Sequence, residues 1–325
     1  MIDYPLKFKP ILKEKIWGGK KLKDLLNKES DEDNIGESWE ISTVENDISF
    51  VVNGSLKGRS LIELIEKDGE HLLGKKVYRE FGNQFPLLIK YIDAKEALSI
   101  QLHPNDELAR SKHNSFGKTE MWYVMQADKR ANLQVGFKEL INKEDYIKNV
   151  KNKTLVDILN FDEVDKGDVY FIPPGRIHAI GAGVLLAEIQ QTSDITYRIY
   201  DWDRKDSEGN YRDLHTDEAL EAIDFTMETK YSTSYVNSIN ETSNIIDCQY
   251  FTTNILPIDK EISIDNTSLD SFVIYMCVSG KGIKLRSNNF EEIIKIGETI
   301  LVPAAINKFD IIPLGMSELL EIYIS

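Results

Sequence analysis

The chain carries one seven-residue pattern twice, and no other feature restricts its fold as much. Gly167-Asp-Val-Tyr-Phe-Ile-Pro173 and Gly297-Glu-Thr-Ile-Leu-Val-Pro303 each run from glycine through an acidic residue and an apolar stretch to proline. Upstream of the two copies lie Trp122-Tyr-Val-Met-Gln-Ala127 and Tyr275-Met-Cys-Val-Ser-Gly280, which read as equivalent strand-turn units. A repeated supersecondary unit implies two similar modules. The length of 325 residues allows two domains or one unusually large one. Lys230 to Asn244, rich in Ser, Thr and Asn, is the best linker, dividing the chain into residues 1–229 and 230–325. Beyond 247 the pattern is almost wholly β.

The first half also contains helical signals. Ser60 followed by Glu63 is a capping box, and Leu61, Leu64, Ile65, Leu72 and Leu73 recur at near-helical spacing, predicting a helical pair up to about Phe81. Asn142 to about Phe161 is expected to be helical, as is a short stretch ending near Met227. Elsewhere apolar runs alternate with turns. In Ala97-Leu-Ser-Ile-Gln-Leu-His103 the alternation puts Ser99, Gln101 and His103 on one face of a strand. The fold class expected is mainly β: two antiparallel barrels of jelly-roll type, with helical insertions in the N-terminal half.

Composition narrows the function. With 42% hydrophobic and 29% charged residues the chain is an ordinary globular one. A net charge of −15 disfavours nucleic acid and anionic membrane surfaces, so a phosphorylated ligand must find local positive charge. The N-terminus lacks the features of a secretory signal and no run is long and apolar enough for a membrane span, which predicts a cytoplasmic, soluble protein. Cys248 and Cys277 each fall in strand-like runs and are expected to be reduced and buried.

With five histidines, a metal site has few ways to form. Gly167-x5-Pro173-x-Gly175-x2-His178 sets a histidine just after a tight turn at the end of an apolar strand, and it resembles the second signature motif of the cupin superfamily. The family's final Asn is absent, position 182 being Ala. The complementary cupin motif corresponds to Gln101-x-His103 with Glu120 on the neighbouring strand. Together these donors suit Zn2+ or another divalent first-row ion. In the second copy Pro303 is followed by Ala304 and Ala305, so the second barrel is expected to be degenerate and metal-free.

The resemblance then becomes narrower. Gln101-Leu-His103-Pro104-Asn105-Asp106, Gly117-Lys118-Thr119-Glu120-Met-Trp122-Tyr123, Pro173-Pro174-Gly175-Arg176-Ile-His178 and Tyr197-Arg198-Ile-Tyr200-Asp201-Trp202-Asp203-Arg204 are similar to the class I mannose-6-phosphate isomerases in their short bacterial form. Ile16-Trp17-Gly18-Gly19, Gly36-Glu37-Ser38-Trp39-Glu40 and Pro86-Leu87-Leu88-Ile89-Lys90 add to the likeness, which runs over most of the first 205 residues. It implies conversion of mannose 6-phosphate to fructose 6-phosphate with one bound zinc. Position by position, it implies Gln101, His103, Glu120 and His178 as metal ligands, Arg198 as a catalytic residue and Lys118 as substrate-handling. Longer relatives carry His-Lys-Pro-Glu where this chain has Gly117-Lys118-Thr119-Glu120, so a histidine sometimes proposed as proton-transfer base is missing here.

The chemistry is consistent with those residue types. An aldose–ketose interconversion through a cis-enediol moves a proton between C2 and C1 and develops negative charge on the adjacent oxygen. A Lewis-acidic metal and a cationic Arg198 both answer that charge. The rival reading of Arg198 is a structural ion pair with Asp194 or Asp201. His113 is expected in an exposed loop or lid, and His71 and His215 in structural or surface roles. Ser99 is expected either against the substrate phosphate or bonded to the backbone. The ligand set alone also allows a cupin metal-dependent oxygenase, and a non-catalytic sugar-binding cupin is the third class. Oligomeric state stays open.

Overall fold

A β-strand sends alternate side chains to opposite faces of its sheet, and along three neighbouring strands that alternation explains how the molecule is layered. The computed structural model describes residues 2–206 and 208–325 and is mainly β. Its largest sheet is antiparallel and seven-stranded, with Leu87–Ala94, Val184–Gln191, Glu120–Ala127 and Val169–Ile172 adjacent in that order. Met121, Tyr123, Met125, Leu185, Ala187 and Ile189 face one core, against the helices Leu61–Leu73 and Lys75–Phe81 and the C-terminal residues Ile274, Met276 and Leu320. Trp122, Val124, Val184 and Leu186 face the other way and meet Leu133, Val135 and Ile180. Those three lie in a five-stranded sheet ordered Tyr197–Tyr200, Ile100–Leu102, His178–Ile180, Asn132–Phe137 and Leu159–Glu163.

The C-terminal part repeats this arrangement. A five-stranded sheet containing Thr252–Ile258, Ser317–Tyr323, Val273–Gly280 and Thr299–Val302 faces a four-stranded one containing Ile262–Asp265 and Lys308–Pro313. Tyr275, Cys277, Leu285, Ile300, Phe309 and Ile311 fill the space between them. The expected barrels are therefore seen as two pairs of facing sheets. Among the described residues no ladder closes on itself, because the sheets of each pair meet through side chains rather than through shared hydrogen bonds.

The sequence repeat is a structural repeat down to single residues. Tyr170 pairs with Trp122, and Ile300 with Tyr275. Gly167 N donates to Val124 O and Gly297 N to Cys277 O, each at 2.8 Å. Both glycines have positive φ, +94° and +78°, a region L-residues rarely adopt. A register shift lies between Leu185, opposite Gln126, and Leu186, opposite Val124, and another between Cys277 and Ser279, so Met125 and Val278 are the extra residues of matching β-bulges.

The capping box at Ser60 and Glu63 is formed in both directions. The helix expected to reach Phe161 instead spans only Lys143–Lys151, capped by Asn142. Lys153, at φ +58°, breaks it, a short 3-10 turn follows at Leu155–Ile158, and Leu159–Glu163 joins the sheet beside Asn132–Phe137. Pairing with the sheet edge outweighs the local apolar spacing there. The helix expected to end near Met227 stops at Ala222. Cys277 is buried in its strand, but Cys248 is only partly buried and lies past the strand Ser243–Asp247, in the turn before Thr252. No helix of the described residues is long and apolar enough to cross a membrane.

Candidate metal centre and active site

The first sheet pair presents two rows of polar side chains to the space it encloses. In the five-stranded sheet Arg198 pairs with Gln101 and Gln101 with His178, so the three stand side by side across neighbouring strands. In the opposing sheet the row is Trp39, Lys90, Glu188 and Trp122. A cavity of about 610 Å³ lies between them, lined in part by Lys90, Gln101, Lys118, His178, Glu188 and Arg198. Six basic side chains, Lys13, Lys15, Lys90, Lys118, Arg198 and Arg212, reach it in a chain of net charge −15. Glu14, Glu37, Glu188, Asp194 and Asp206 line it too, and every one of those basic groups except Arg198 has a carboxylate within 4 Å among the described residues, so Arg198 is the cation left for an incoming anion.

His103, Glu120 and His178 converge at the floor. Their candidate ligand atoms all lie within 4.8 Å of one another. Glu120 Oε2 is 3.4 Å from His103 Nε2, and Glu120 Oε1 is 3.4 Å from His178 Nε2. Donors about 2.1 Å from a common ion at tetrahedral angles sit roughly 3.4 Å apart, so the spacing fits a metal. His103 Nδ1 is 2.9 Å from the Ile195 carbonyl and His178 Nδ1 is 2.8 Å from the Arg176 carbonyl. Each Nδ1–H therefore donates to main chain, and Nε2 is left as the bare acceptor. Both Nε2 atoms and both Glu120 oxygens are buried without a hydrogen-bond partner. One of them, Glu120 Oε2, has the Lys118 ammonium beside it; the other three, His103 Nε2, His178 Nε2 and Glu120 Oε1, are bare acceptors buried together, which is costly unless a cation joins them.

Electrostatics favours ligand-ready forms. Burial, reinforced by Lys118, lowers the His103 pKa to about 3, and burial also lowers that of His178, so both imidazoles are neutral. Burial opposes ionisation of Glu120, yet the Lys118 ammonium holds its carboxyl well below the ordinary value. Lys118 Nζ is 3.2 Å from Glu120 Oε2 and almost fully buried. Gln101, the remaining residue of the expected ligand set, stands opposite His178 and accepts from Ser99 Oγ at 3.2 Å.

Arg198 is half-buried and free of carboxylate partners within 4 Å among the described residues. Its Nε donates to Ser99 Oγ at 3.3 Å and Nη1 to the Asp213 carbonyl at 2.9 Å. Of the two acids expected to pair with it in the structural reading, Asp194 makes no ion pair with it and Asp201 is engaged by Arg204 and Arg212 instead. Ser99 thus bonds two side chains of the site rather than backbone. His215 has a structural role: its Nδ1 accepts the Arg198 backbone N–H at 3.1 Å. His113 ends a helix and its Nε2 meets the Tyr197 hydroxyl at 2.8 Å, while His71 is exposed beside Asp68.

Lys90 and Glu188 are part of the site that residue-type reasoning passed over. Lys90 Nζ donates to Glu188 Oε1 at 2.9 Å and Gln190 Oε1 at 2.7 Å, and Trp122 Nε1 donates to Glu188 Oε2 at 2.9 Å. Burial opposes the charge on Lys90, but Glu188 and Glu37 more than restore it. The signal was present: each is a charge set among apolar neighbours inside a strand, and buried charges are rare without a partner.

The family model for the catalytic domain of type I phosphomannose isomerase matches residues 6–134. The mannose-6-phosphate isomerase ManA of Bacillus subtilis is 35% identical over 312 residues, covering 95% of this chain and 96% of its own. The mannose-6-phosphate isomerase of Streptococcus mutans is 30% identical over 306 residues, covering 94% of each. The crystal structure of the mannose 6-phosphate isomerase from Bacillus subtilis superposes with a TM-score of 0.89 at 31% identity, covering 99% of this chain and all of that one. These likenesses extend through the C-terminal sheets, well past the motifs near the metal centre. The chain belongs to the type I phosphomannose isomerase family.

Proposed function

We propose that this protein interconverts mannose 6-phosphate and fructose 6-phosphate, with Gln101, His103, Glu120 and His178 holding one zinc ion. The observation that carries the reading is the set of bare buried acceptors, His103 Nε2, His178 Nε2 and Glu120 Oε1, close to a cavity that Arg198 lines with no carboxylate within 4 Å among the described residues. Two imidazole nitrogens, a carboxylate and an amide oxygen form a donor set suited to zinc. A metal there supplies Lewis acidity that polarises the sugar's carbonyl and hydroxyl oxygens.

The chain's own residues do the rest. Arg198, whose guanidinium pKa is lowered by burial and by Arg212, gains from any anion that arrives. It stabilises the substrate's phosphate or the negative oxygen of a cis-enediol intermediate. Lys118 places a second cation within reach of the same oxygens. Trp122 and the Lys90–Glu188 pair form a wall whose polar groups are already bonded to one another, which holds the cavity open without competing for substrate. The two sheet pairs are read as cupin jelly rolls, residues 1–229 carrying the site and 230–325 a degenerate second copy. Oxygen activation has no support in the site beyond its ligands, and a purely sugar-binding role leaves Arg198 and Lys118 unexplained.

The test is conversion of mannose 6-phosphate by the purified protein, followed before chelation, after chelation and after zinc is returned. Turnover that vanishes with the chelator and recovers with zinc is the expected result. A metal-loaded protein that leaves mannose 6-phosphate untouched would sink the substrate assignment.

A further inference from the structure

The segment that carries Lys118 and Glu120 is held from one side by a single carboxylate. Asp106 Oδ1 accepts the Gly117 N–H at 2.9 Å and the Gln191 side-chain amide at 3.1 Å. Gln191 Oε1 in turn accepts the Thr119 N–H at 2.8 Å, and the Lys118 N–H donates to Pro104 O at 3.1 Å. Three successive amides just before the metal-facing carboxylate are thus tied to Asp106, its helper Gln191, or the turn that precedes it. The fit is close, because a Cβ on Gly117 would lie 2.5 Å from Asp106 N. The other Asp106 oxygen, Oδ2, accepts a 2.6 Å hydrogen bond from the Tyr250 hydroxyl, which comes from the C-terminal part of the chain.

We propose that Asp106 is a positioning residue for the active site and that Tyr250 locks it, so that the C-terminal sheets take part in catalysis by fixing where Lys118 and Glu120 stand. A short, charge-assisted O–H···O bond is among the stronger kinds and holds the carboxylate in one rotamer. Residues that orient metal ligands from behind typically change metal affinity or activity 10–100-fold when lost. The inference rests on the metal and isomerase assignment above for its kinetic consequence, but its structural core does not.

The variants are Tyr250→Phe and Asp106→Ala, with Tyr235→Phe as control. Tyr235 also makes a bond distant in sequence, from its hydroxyl to Gly167 O at 2.7 Å, and although it neighbours Tyr123 it makes no hydrogen bond to residues 117–120. Hydrogen exchange is read on the metal-free proteins at the Gly117 and Thr119 amides. Zinc affinity is read by chelator competition, and kcat and KM are read separately. Expected are faster exchange at both amides in Tyr250→Phe, zinc binding weakened about threefold to tenfold there and about tenfold or more in Asp106→Ala, and kcat falling more than KM rises. Tyr235→Phe should leave all of these at parent values. Unchanged exchange and zinc affinity in Tyr250→Phe would overturn the proposal, as would equal effects from Tyr235→Phe. Should Asp106→Ala fail to fold, Tyr250→Phe decides alone. A parent protein that binds no zinc would defeat the metal assignment, and the exchange data would still judge the role of Asp106.

Discussion

Opposite Ile172, inside the first sheet pair, stands Glu120, whereas opposite Val302, at the matching place in the second, stands Val273. The neighbouring positions diverge in the same way. Lys90 faces Glu188 in one copy and Asn254 faces Glu321 in the other. His178 and Gln101 are paired in the first, while in the second Lys308 and Asp265 form an exposed ion pair at 2.9 Å. Yet the bond that braces the wall is kept: Trp122 donates to Glu188 and, at the equivalent position, Tyr275 donates to Glu321 at 2.8 Å. The ladder, its bulge and its glycine turn fix a set of addresses, and the side chains at a few of them separate a polar cavity from a packed core.

The largest test of that contrast is to move the second copy's residue into the first. Glu120→Val should abolish tight metal binding and lower kcat about a thousandfold or more, since a polarising metal supplies several kcal/mol of transition-state stabilisation. Metal content and isomerase assays report both, and retained activity would break the assignment of Glu120. Arg198→Ala should cost about 100- to 1,000-fold in kcat/KM while metal content stays at parent level. The reverse exchange, Val273→Glu, buries a carboxylate in an apolar core with no cation opposite, and denaturant unfolding should show a loss of about 3 kcal/mol. Activity of the folded fraction should be unchanged.

A pH series sharpens the comparison further. The folded-state pKa of His103 is lowered from its ordinary 6.5 to about 3, so below pH 6.5 the unfolded chain takes up the proton first. Stability of the metal-free protein therefore falls as pH drops from about 6.5 toward 3, by at most about 1.4 kcal/mol per pH unit for this group. His178 acts in the same direction. Thermal unfolding without metal should show the decline, and Glu120→Val should leave it largely in place. The smallest effect is expected for Tyr275→Phe, about 1 kcal/mol of stability with kcat unaltered.

Local chemistry made much of this legible. The capping box at Ser60, the glycine that opens each repeated hairpin and the turn before His178 are short-range signals, and each was readable because one or two residues suffice to create it. The convergence of His103, Glu120 and His178 was legible through spacing and resemblance, since they are separated by too much chain for proximity to be read directly. What was missed depends on neighbours across strands. Lys90 looks like an interruption in an apolar run until Glu188 is known to stand beside it. The early end of the helix at Lys151 goes with the pairing of Leu159–Glu163 onto Asn132–Phe137, and apolar spacing alone gave no hint of that competition. Asp106 belongs to the Gln101–Asp106 motif, but its bond to Tyr250 spans 144 positions.

The two metal-facing imidazoles are oriented by the carbonyls of Ile195 and Arg176, not by side chains. Every amino acid brings a carbonyl, so substitution at either position cannot delete the acceptor. The tautomer of each histidine is therefore heritable independently of what residues 195 and 176 happen to be. Sequence drift at those two positions can change the packing behind the histidines while their Nε2 atoms keep their aim.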